Sequence, residues 1–268
     1  MLNRKITLGL LFAAGLLSGI ALVNATFFHR VMNWLTPVNT LVLFAFAVMH
    51  GAQRFGWKRI LLMVVTVSAV SLAFESYGVA TGEVYGPYYY TDMLGPKFLG
   101  LVPLLIPVAW FMMMYASFLM ADLVVPADFG SPTSRRLWVA AAAGIVMTAW
   151  DLAMDPMMVG GGHWVWETQG AYFGVPLQNF WGWWLTTFTA LAIYLILADV
   201  LIKQPVHITA VPVSWAIYAY AITGISSVWV GFIFNLEGPG MVGLFAMLPW
   251  VIAGLVLAKH LELLPNAN

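Results

Sequence analysis

The chain has no cysteine, which excludes disulfides, thiolate zinc sites and iron–sulfur clusters. Charge is almost as scarce. Only 8% of the 268 residues are Asp, Glu, Lys or Arg, and eleven cations cancel eleven acids. No basic block stands out, so nucleic acid is excluded as a partner. Five histidines are too few for a histidine-box oxygenase. No glycine fingerprint stands in the strand–turn–helix context that flavin or nicotinamide binding needs. The late apolar run from 211 to 234 holds no lysine for a retinal Schiff base.

What the chain has instead is apolar and aromatic surface. Hydrophobic residues make up 62% of it, with thirteen Trp and ten Tyr, and mean hydropathy is +0.88. Long apolar runs recur at about residues 6–28, 37–53, 60–79, 99–121, 137–154, 181–201, 211–234 and 241–258. A bilayer core of about 30 Å is crossed by about 20 helical residues, and the runs lack the alternation of barrel strands. The expected fold is therefore all-α: one integral-membrane domain over residues 1–268, a polytopic bundle of eight transmembrane helices, with seven as the alternative count. The second run is the weakest, diluted by Asn39 and His50. The first has a basic flank, Arg4 and Lys5, and a small-residue stretch at Val23-Asn24-Ala25. It is longer than a signal-peptide core and is expected to remain as a span.

Eight spans sort the cations. Arg4, Lys5, Arg54, Lys58, Arg59, Arg135, Arg136, Lys203 and Lys259 fall on the side of the termini, and Arg30 and Lys97 on the other. The positive-inside rule then puts both termini in the cytoplasm, for a protein of the cell membrane. Glu75, Glu83, Asp92, Asp151, Asp155, Glu167 and Glu237 collect on the opposite face.

Two of those acids lie inside apolar runs. An acidic side chain at a helix centre costs about 2.5–3.5 kcal/mol, which marks Glu75 and Asp151 as functional candidates. The first cluster runs from Glu75, about a turn before the expected helix end, through Gly78, Gly82, Glu83, Tyr85 and Gly86-Pro87 to Tyr88-Tyr89-Tyr90. Irregular backbone at membrane depth lies against protein or a wet cavity, so this loop is expected to roof a pocket. An interfacial aromatic belt is the alternative reading of its tyrosines. In the second cluster Asp151 and Asp155, four apart, share a helix face. Pro156 is expected to end or kink that helix, before Gly160-Gly161-Gly162, His163, Trp164, Trp166, Glu167, Tyr172 and Asn179. The two clusters read as a weak internal repeat of helix–loop–helix units.

Asp151-x-x-x-Asp155 resembles a magnesium–diphosphate motif of membrane prenyltransferases. That chemistry needs cations for the diphosphate, and this face has only Arg30 and Lys97. Acid–base chemistry on an apolar substrate, with no metal or other cofactor, is the expectation that remains. A carboxyl that keeps its proton is a general acid, and Trp and Tyr faces stabilise the carbocation left by protonating an alkene.

The clusters resemble the carotenoid biosynthesis membrane-protein family, whose best-known members are carotenoid 1,2-hydratases. The resemblance rests on Glu75-Ser-Tyr-Gly-Val with Thr81-Gly82, on Tyr85-Gly86-Pro87-Tyr88-Tyr89-Tyr90, and on Val102-Pro103 through Pro107 to Trp110. It continues in Trp150-Asp151-Leu152, Asp155-Pro156, Trp164-Val165-Trp166, Gly170-x-Tyr172-Phe173-Gly174-Val175-Pro176 and Asn179-Phe180-x-Gly182-Trp183. It covers roughly residues 35 to 258. It implies hydration of the terminal double bond of an acyclic ψ-end, as in γ-carotene or lycopene, or in a C50 bacterioruberin precursor. The implied partners are the bilayer, the carotenoid and other enzymes of carotenoid synthesis. The residue reading makes Asp155 or Asp151 the proton donor and Glu75 the base that activates water. Glu83, Tyr85, Tyr88, Tyr90, Trp110, His163, Trp164, Trp166, Glu167, Tyr172, Asn179 and Trp183 are the candidate substrate-binding residues. A cyclase or isomerase shares the protonation step. A proton-coupled transporter would use the same acids without chemistry.

The cation split makes a testable statement about orientation. In intact cells an impermeant thiol reagent is expected to label Thr91→Cys and to spare Asp128→Cys; the reverse pattern means that the chain is inverted.

Overall fold

The computed structural model describes residues 2–29, 32, 34–202 and 211–263; Arg30 and Lys203 lie outside them. Among the described residues, eight helices are long and apolar enough to cross a membrane. They are α1 (Leu2–Phe28), α2 (Leu35–Phe55), α3 (Trp57–Thr81), α4 (Leu105–Val124), α5 (Pro132–Gly160), α6 (Leu177–Leu201), α7 (Ser214–Ile233) and α8 (Glu237–Leu263). The weak second run is a full helix of 21 residues. The all-α polytopic bundle read from the apolar runs is the fold.

Burial orders the helices from centre to rim. Most of α4 is buried, and it packs against α2, α3, α5, α7 and α8. Its core-facing residues include Trp110, Phe111, Met114, Tyr115 and Met120. α1 and α8 are the most peripheral by burial. Their exposed Phe12, Leu16, Phe245 and Val256 suit lipid rather than water.

The end of the bundle where α1 begins is held by cations that close helix ends. Arg135 donates to the carbonyls of Asp122 in the last turn of α4 and of Val125 and Pro126 just beyond it, Arg59 to that of Ile202 beyond α6, and Arg54 to that of Val211 before α7. Cations near helix C-termini satisfy orphan carbonyls and complement the dipole. One level deeper, His50 Nε2 meets the carbonyl of Pro212 at 3.0 Å and so donates; Nδ1 then accepts from Tyr115 Oη at 2.6 Å. This link, with both side chains buried, ties α2 and α4 to the segment before α7.

The opposite end is built differently. Two short strands, β1 (Tyr88–Tyr90) and, after a 3-10 turn, β2 (Lys97–Phe98), precede β3 (Val102–Pro103) between α3 and α4; β4 (Trp164–Trp166) lies between α5 and α6. β1 pairs antiparallel with β4, and β2 with β3. Residues 99–104, the start of the fourth apolar run, thus belong to a hairpin and its exit, and α4 starts only at Leu105. Gly86 permits the turn into β1: its φ is +103°, and a Cβ there would stand 3.2 Å from the Pro176 ring.

Pro156 neither ends nor breaks its helix; α5 continues to Gly160. A helix-interior proline frees the carbonyl four residues back, here Leu152, and Tyr172 Oη donates to that oxygen at 2.9 Å. The loop supplies the bond that the proline removes.

The roof sits directly on α6. A Cβ on buried Gly182 would lie 2.5 Å from the Tyr85 ring and 2.7 Å from the Val84 carbonyl. Gly182→Ala is therefore expected to push Tyr85 away from Thr186, its hydrogen-bond partner at 2.7 Å. The expected cost is about 1–3 kcal/mol, the scale of overpacking, read as a lower Tm of the detergent-purified protein; an unchanged Tm refutes the close approach.

Candidate active site

Strand periodicity shapes the roof. Successive strand residues point to opposite faces, so Tyr88 and Tyr90 share one side of β1, and Trp164 and Trp166 one side of β4. The register pairs Tyr88 with Trp166 and Tyr90 with Trp164, which gathers four rings over the bundle. Ring centroids are 5.0 Å apart for Tyr88–Trp166, 5.8 Å for Tyr90–Trp164 and 5.4 Å for Tyr88–Tyr90. On the outer face Tyr89 is 49% exposed and Val165 37%. The aromatic-belt reading therefore fails for Tyr85, Tyr88 and Tyr90, all buried, and fits only Tyr89.

The polar tips of those rings hold two carboxyl groups. Glu75 Oε2 accepts from Tyr90 Oη at 2.9 Å and from Tyr88 Oη, and Oε1 accepts from Trp110 Nε1 at 2.8 Å. Asp155 Oδ1 accepts from Trp164 Nε1 at 3.1 Å and Trp166 Nε1 at 3.2 Å, and Oδ2 from Asn179 Nδ2 at 2.7 Å. The same Asn179 nitrogen reaches Asp151 Oδ2 at 2.8 Å, while Asp151 Oδ1 is buried without a partner. Glu75, Asp151 and Asp155 are all buried, and none makes an ion pair among the described residues. α3 runs to Thr81, so Glu75 sits deeper than a single turn from its end.

A local two-fold emerges from these bonds. Each acid sits on a long helix, receives two ring donors from the strand that follows that helix, and one more donor from the start of the next helix. Glu75, Tyr88/Tyr90 and Trp110 thus correspond to Asp155, Trp164/Trp166 and Asn179. The antiparallel β1–β4 pair lies between the halves, and α3 packs on α6 as α4 packs on α5. The rhyme between the two sequence clusters is structural.

Below the roof lies a cavity of about 550 Å³, within the range of small-molecule sites. Glu75, Asp155, Asn179, Tyr85, Tyr88, Tyr90, Trp164 and Trp166 line it, as do Trp110, Trp183 and His163. Trp183 stacks on Trp110 at 4.2 Å and meets Trp150 edge-on at 5.9 Å. α1, α2 and α7 close the far side. Burial, and next the Glu75 charge, push the Tyr85, Tyr88 and Tyr90 phenols well above their ordinary range. They stay protonated, and Tyr88 and Tyr90 remain donors to Glu75. Burial also holds the His163 imidazole below its ordinary value, and Nδ1 lies 3.2 Å from the Met158 carbonyl.

Three residues expected to touch substrate do not line the cavity. Glu83 and Glu167 are exposed outside the roof, where their charge stays in water; the Glu167 backbone N–H donates to the Pro87 carbonyl. Tyr172 serves the Leu152 carbonyl, and burial pushes its phenol up to about 12. Asp151, expected to be catalytic, stands behind Asn179 and is absent from the cavity wall. Trp150, which lines the cavity, was readable only as an aromatic beside Asp151. The aspartate oxygens that have partners face N–H donors, the reverse of what a divalent cation would need, and among the described residues no group of three or more metal-ligating side chains converges.

The sequence profile of the family described as "Carotenoid biosynthesis protein" matches residues 33–258. Over 137 residues the chain is 34% identical to the bisanhydrobacterioruberin hydratase of Haloarcula japonica. That match covers 51% of the chain and 45% of the relative, so the chain spans less than half of that protein's length. No solved structure matches.

Tyr172→Phe is expected to destabilise by about 1–3 kcal/mol, the cost of an unsatisfied buried carbonyl. In a Pro156→Ala background, which restores the helical N–H, the same change is expected to cost far less. Equal Tm losses in the two backgrounds would refute the compensation.

Proposed function

The chain belongs to the carotenoid biosynthesis protein family, and from that premise we propose that it is a hydratase acting on the terminal double bond of an acyclic carotenoid end group. The observation that carries the reading is a pair of donor-held carboxyl groups, Glu75 and Asp155, lining one aromatic cavity.

Asp155 is the proton donor. Its proton adds to C-2 of the alkene, and the π electrons leave a tertiary cation at C-1. Faces of Tyr88, Trp166, Trp110 and Trp183 lie around that carbon and stabilise it by cation–π attraction. Water bonds to C-1 and gives its extra proton to Glu75, whose hydrogen bonds come from donors suited to a carboxylate. Proton transfer from Glu75 back to Asp155 completes the cycle, and no external reductant or oxidant enters the balance. Asp151 shares Asn179 with Asp155 and acts through it. The substrate is an acyclic end of the γ-carotene or lycopene type, or a C50 bacterioruberin precursor like the one in the relative's name. The protein works in the cell membrane with both termini in the cytoplasm.

A cyclase uses the same cage but ends by losing a proton from carbon, so its product keeps the substrate's mass. A transporter leaves the pigment unchanged. Pigments from a carotenoid-producing host separate these readings, because hydration adds the mass of one water.

Glu75→Gln and Asp155→Asn are each expected to cut hydration by about 10²-fold or more, the usual scale for an acid or base. Both should still fold, because the amide keeps the side-chain volume and brings no charge into the membrane. Glu83→Gln and Glu167→Gln are expected to stay near native activity. The hydroxyl oxygen should come from labelled water under anaerobic conditions, with solvent deuterium at C-2. Full activity in both amide variants would end this assignment.

A further inference from the structure

A hydratase must keep water inside an apolar cavity, and the donors of the cage are engaged in holding its two acids. The opposite wall carries further polar groups. On α2, Thr36, Asn39 and Thr40 stand at i, i+3 and i+4; on α7, Thr223, Ser226 and Ser227 repeat that spacing. Such residues share one face of a helix, and all six line the same cavity as Glu75 and Asp155. Ser18 of α1 lies beside them and accepts from Asn39 Nδ2 at 3.0 Å.

The hydroxyl hydrogens of Thr40, Thr223, Ser226 and Ser227 are spent on helix carbonyls. Thr40 donates to the Thr36 carbonyl at 2.8 Å, Thr223 to Ala219 at 2.9 Å, Ser226 to Ile222 at 2.8 Å and Ser227 to Thr223 at 3.2 Å. Back-bonded hydroxyls keep acceptor lone pairs for the cavity. Acceptors without donors at membrane depth call for a small O–H donor. The wall is joined to the cage as well: Trp150 Nε1 donates to Ser227 Oγ at 3.2 Å, and Trp150 meets Trp183, which stacks on the Trp110 bound to Glu75.

We propose that this α2–α7 wall holds the water that attacks the substrate cation, so that Thr36, Thr40, Thr223 and Ser226 decide whether the cation is hydrated or reverts to alkene. The inference rests on the hydratase reading and assigns its second reactant a place. Water seated there donates one hydrogen into the hydroxyl acceptors, keeps the other for Glu75, and turns a lone pair toward C-1. When the seat is removed, the cation's remaining course is loss of a proton from carbon, which restores an alkene.

The test uses full-length purified protein, lycopene as a substrate without oxygen, and deuterated water. The variants are Thr36→Val with Thr40→Val, and Thr223→Val with Ser226→Ala; Ser227 is left in place for Trp150. Hydrated product is expected to fall about 10- to 10²-fold, the scale of lost positioning. Deuterium appearing in recovered lycopene should not fall, so its ratio to hydrated product rises. Unchanged hydration overturns the proposal. So does a parallel fall of hydration and deuterium uptake, which marks a merely structural role. A loss confined to an alcohol-bearing polyene, with lycopene unaffected, also overturns it and gives the wall to the substrate's hydroxyl. Native protein that neither hydrates nor deuterates lycopene, γ-carotene or the C50 precursor defeats the hydratase reading itself.

Discussion

Everything at the functional end follows from one constraint: buried carboxyl groups must be satisfied at membrane depth by neutral donors. Insertion alone costs about 2.5–3.5 kcal/mol per acid, and among the described residues no cation pairs with Glu75 or Asp155 to offset it. Each receives three hydrogen bonds from N–H or O–H groups. Bonds to a charged group contribute about 1.5–3 kcal/mol apiece, so three exceed the insertion cost for the Glu75 carboxylate; Asp155, as the proton donor, is neutral and needs less. The donors must also stay donors. Trp Nε1 has no acceptor role, and the Tyr88 and Tyr90 phenols are held protonated by burial and by the acid they serve.

The donors come almost wholly from aromatic side chains, and that lets one set of residues perform two tasks. The polar tips of Tyr88, Tyr90, Trp164 and Trp166 hold the acids, while the ring faces remain for an electron-poor substrate. A two-stranded sheet is the smallest frame able to do this. Its pleat puts alternate residues on one face, and its antiparallel register sets the Tyr pair beside the Trp pair. A six-residue sheet has little stability of its own. It is held from below by the very hydrogen bonds it donates, and from the side by Gly182 and Gly86, where side chains would not fit.

How far the sequence could be read depended on the range of each interaction. Glu75 and Asp151 were visible because an acid in an apolar run is conspicuous whatever surrounds it, and Asp155 because it stands one helical turn from Asp151. The difference between Asp151 and Asp155 was not. One turn of helix separates them, and only Asn179, more than twenty residues on, puts one at the cavity and the other behind it. Glu83 and Glu167 lie near the same motifs as the true lining residues, but their position outside the roof is a matter of strand pairing between segments far apart in the chain. Pro156 read by local rules as ending or kinking its helix; α5 runs on to Gly160, and Tyr172 supplies the missing bond to Leu152. The hydroxyl triads on α2 and α7 had a legible spacing, yet Asn39 looked like mere dilution of a weak span until both faces met in one cavity.

The sequence by itself determined the solvent and the scaffold. Runs of about twenty apolar residues admit no other structure in a bilayer than helices, and the scarcity of charge confined chemistry to a few acids. Local patterns also set which rings share a strand face and which hydroxyls share a helix face, since both follow from fixed backbone periods. Only the tertiary structure decided which acid meets the cavity, which donor serves which oxygen, and that the two clusters form one site. Those facts depend on β1 finding β4 and on α3 packing against α6, contacts between segments about eighty or more residues apart that no local rule encodes.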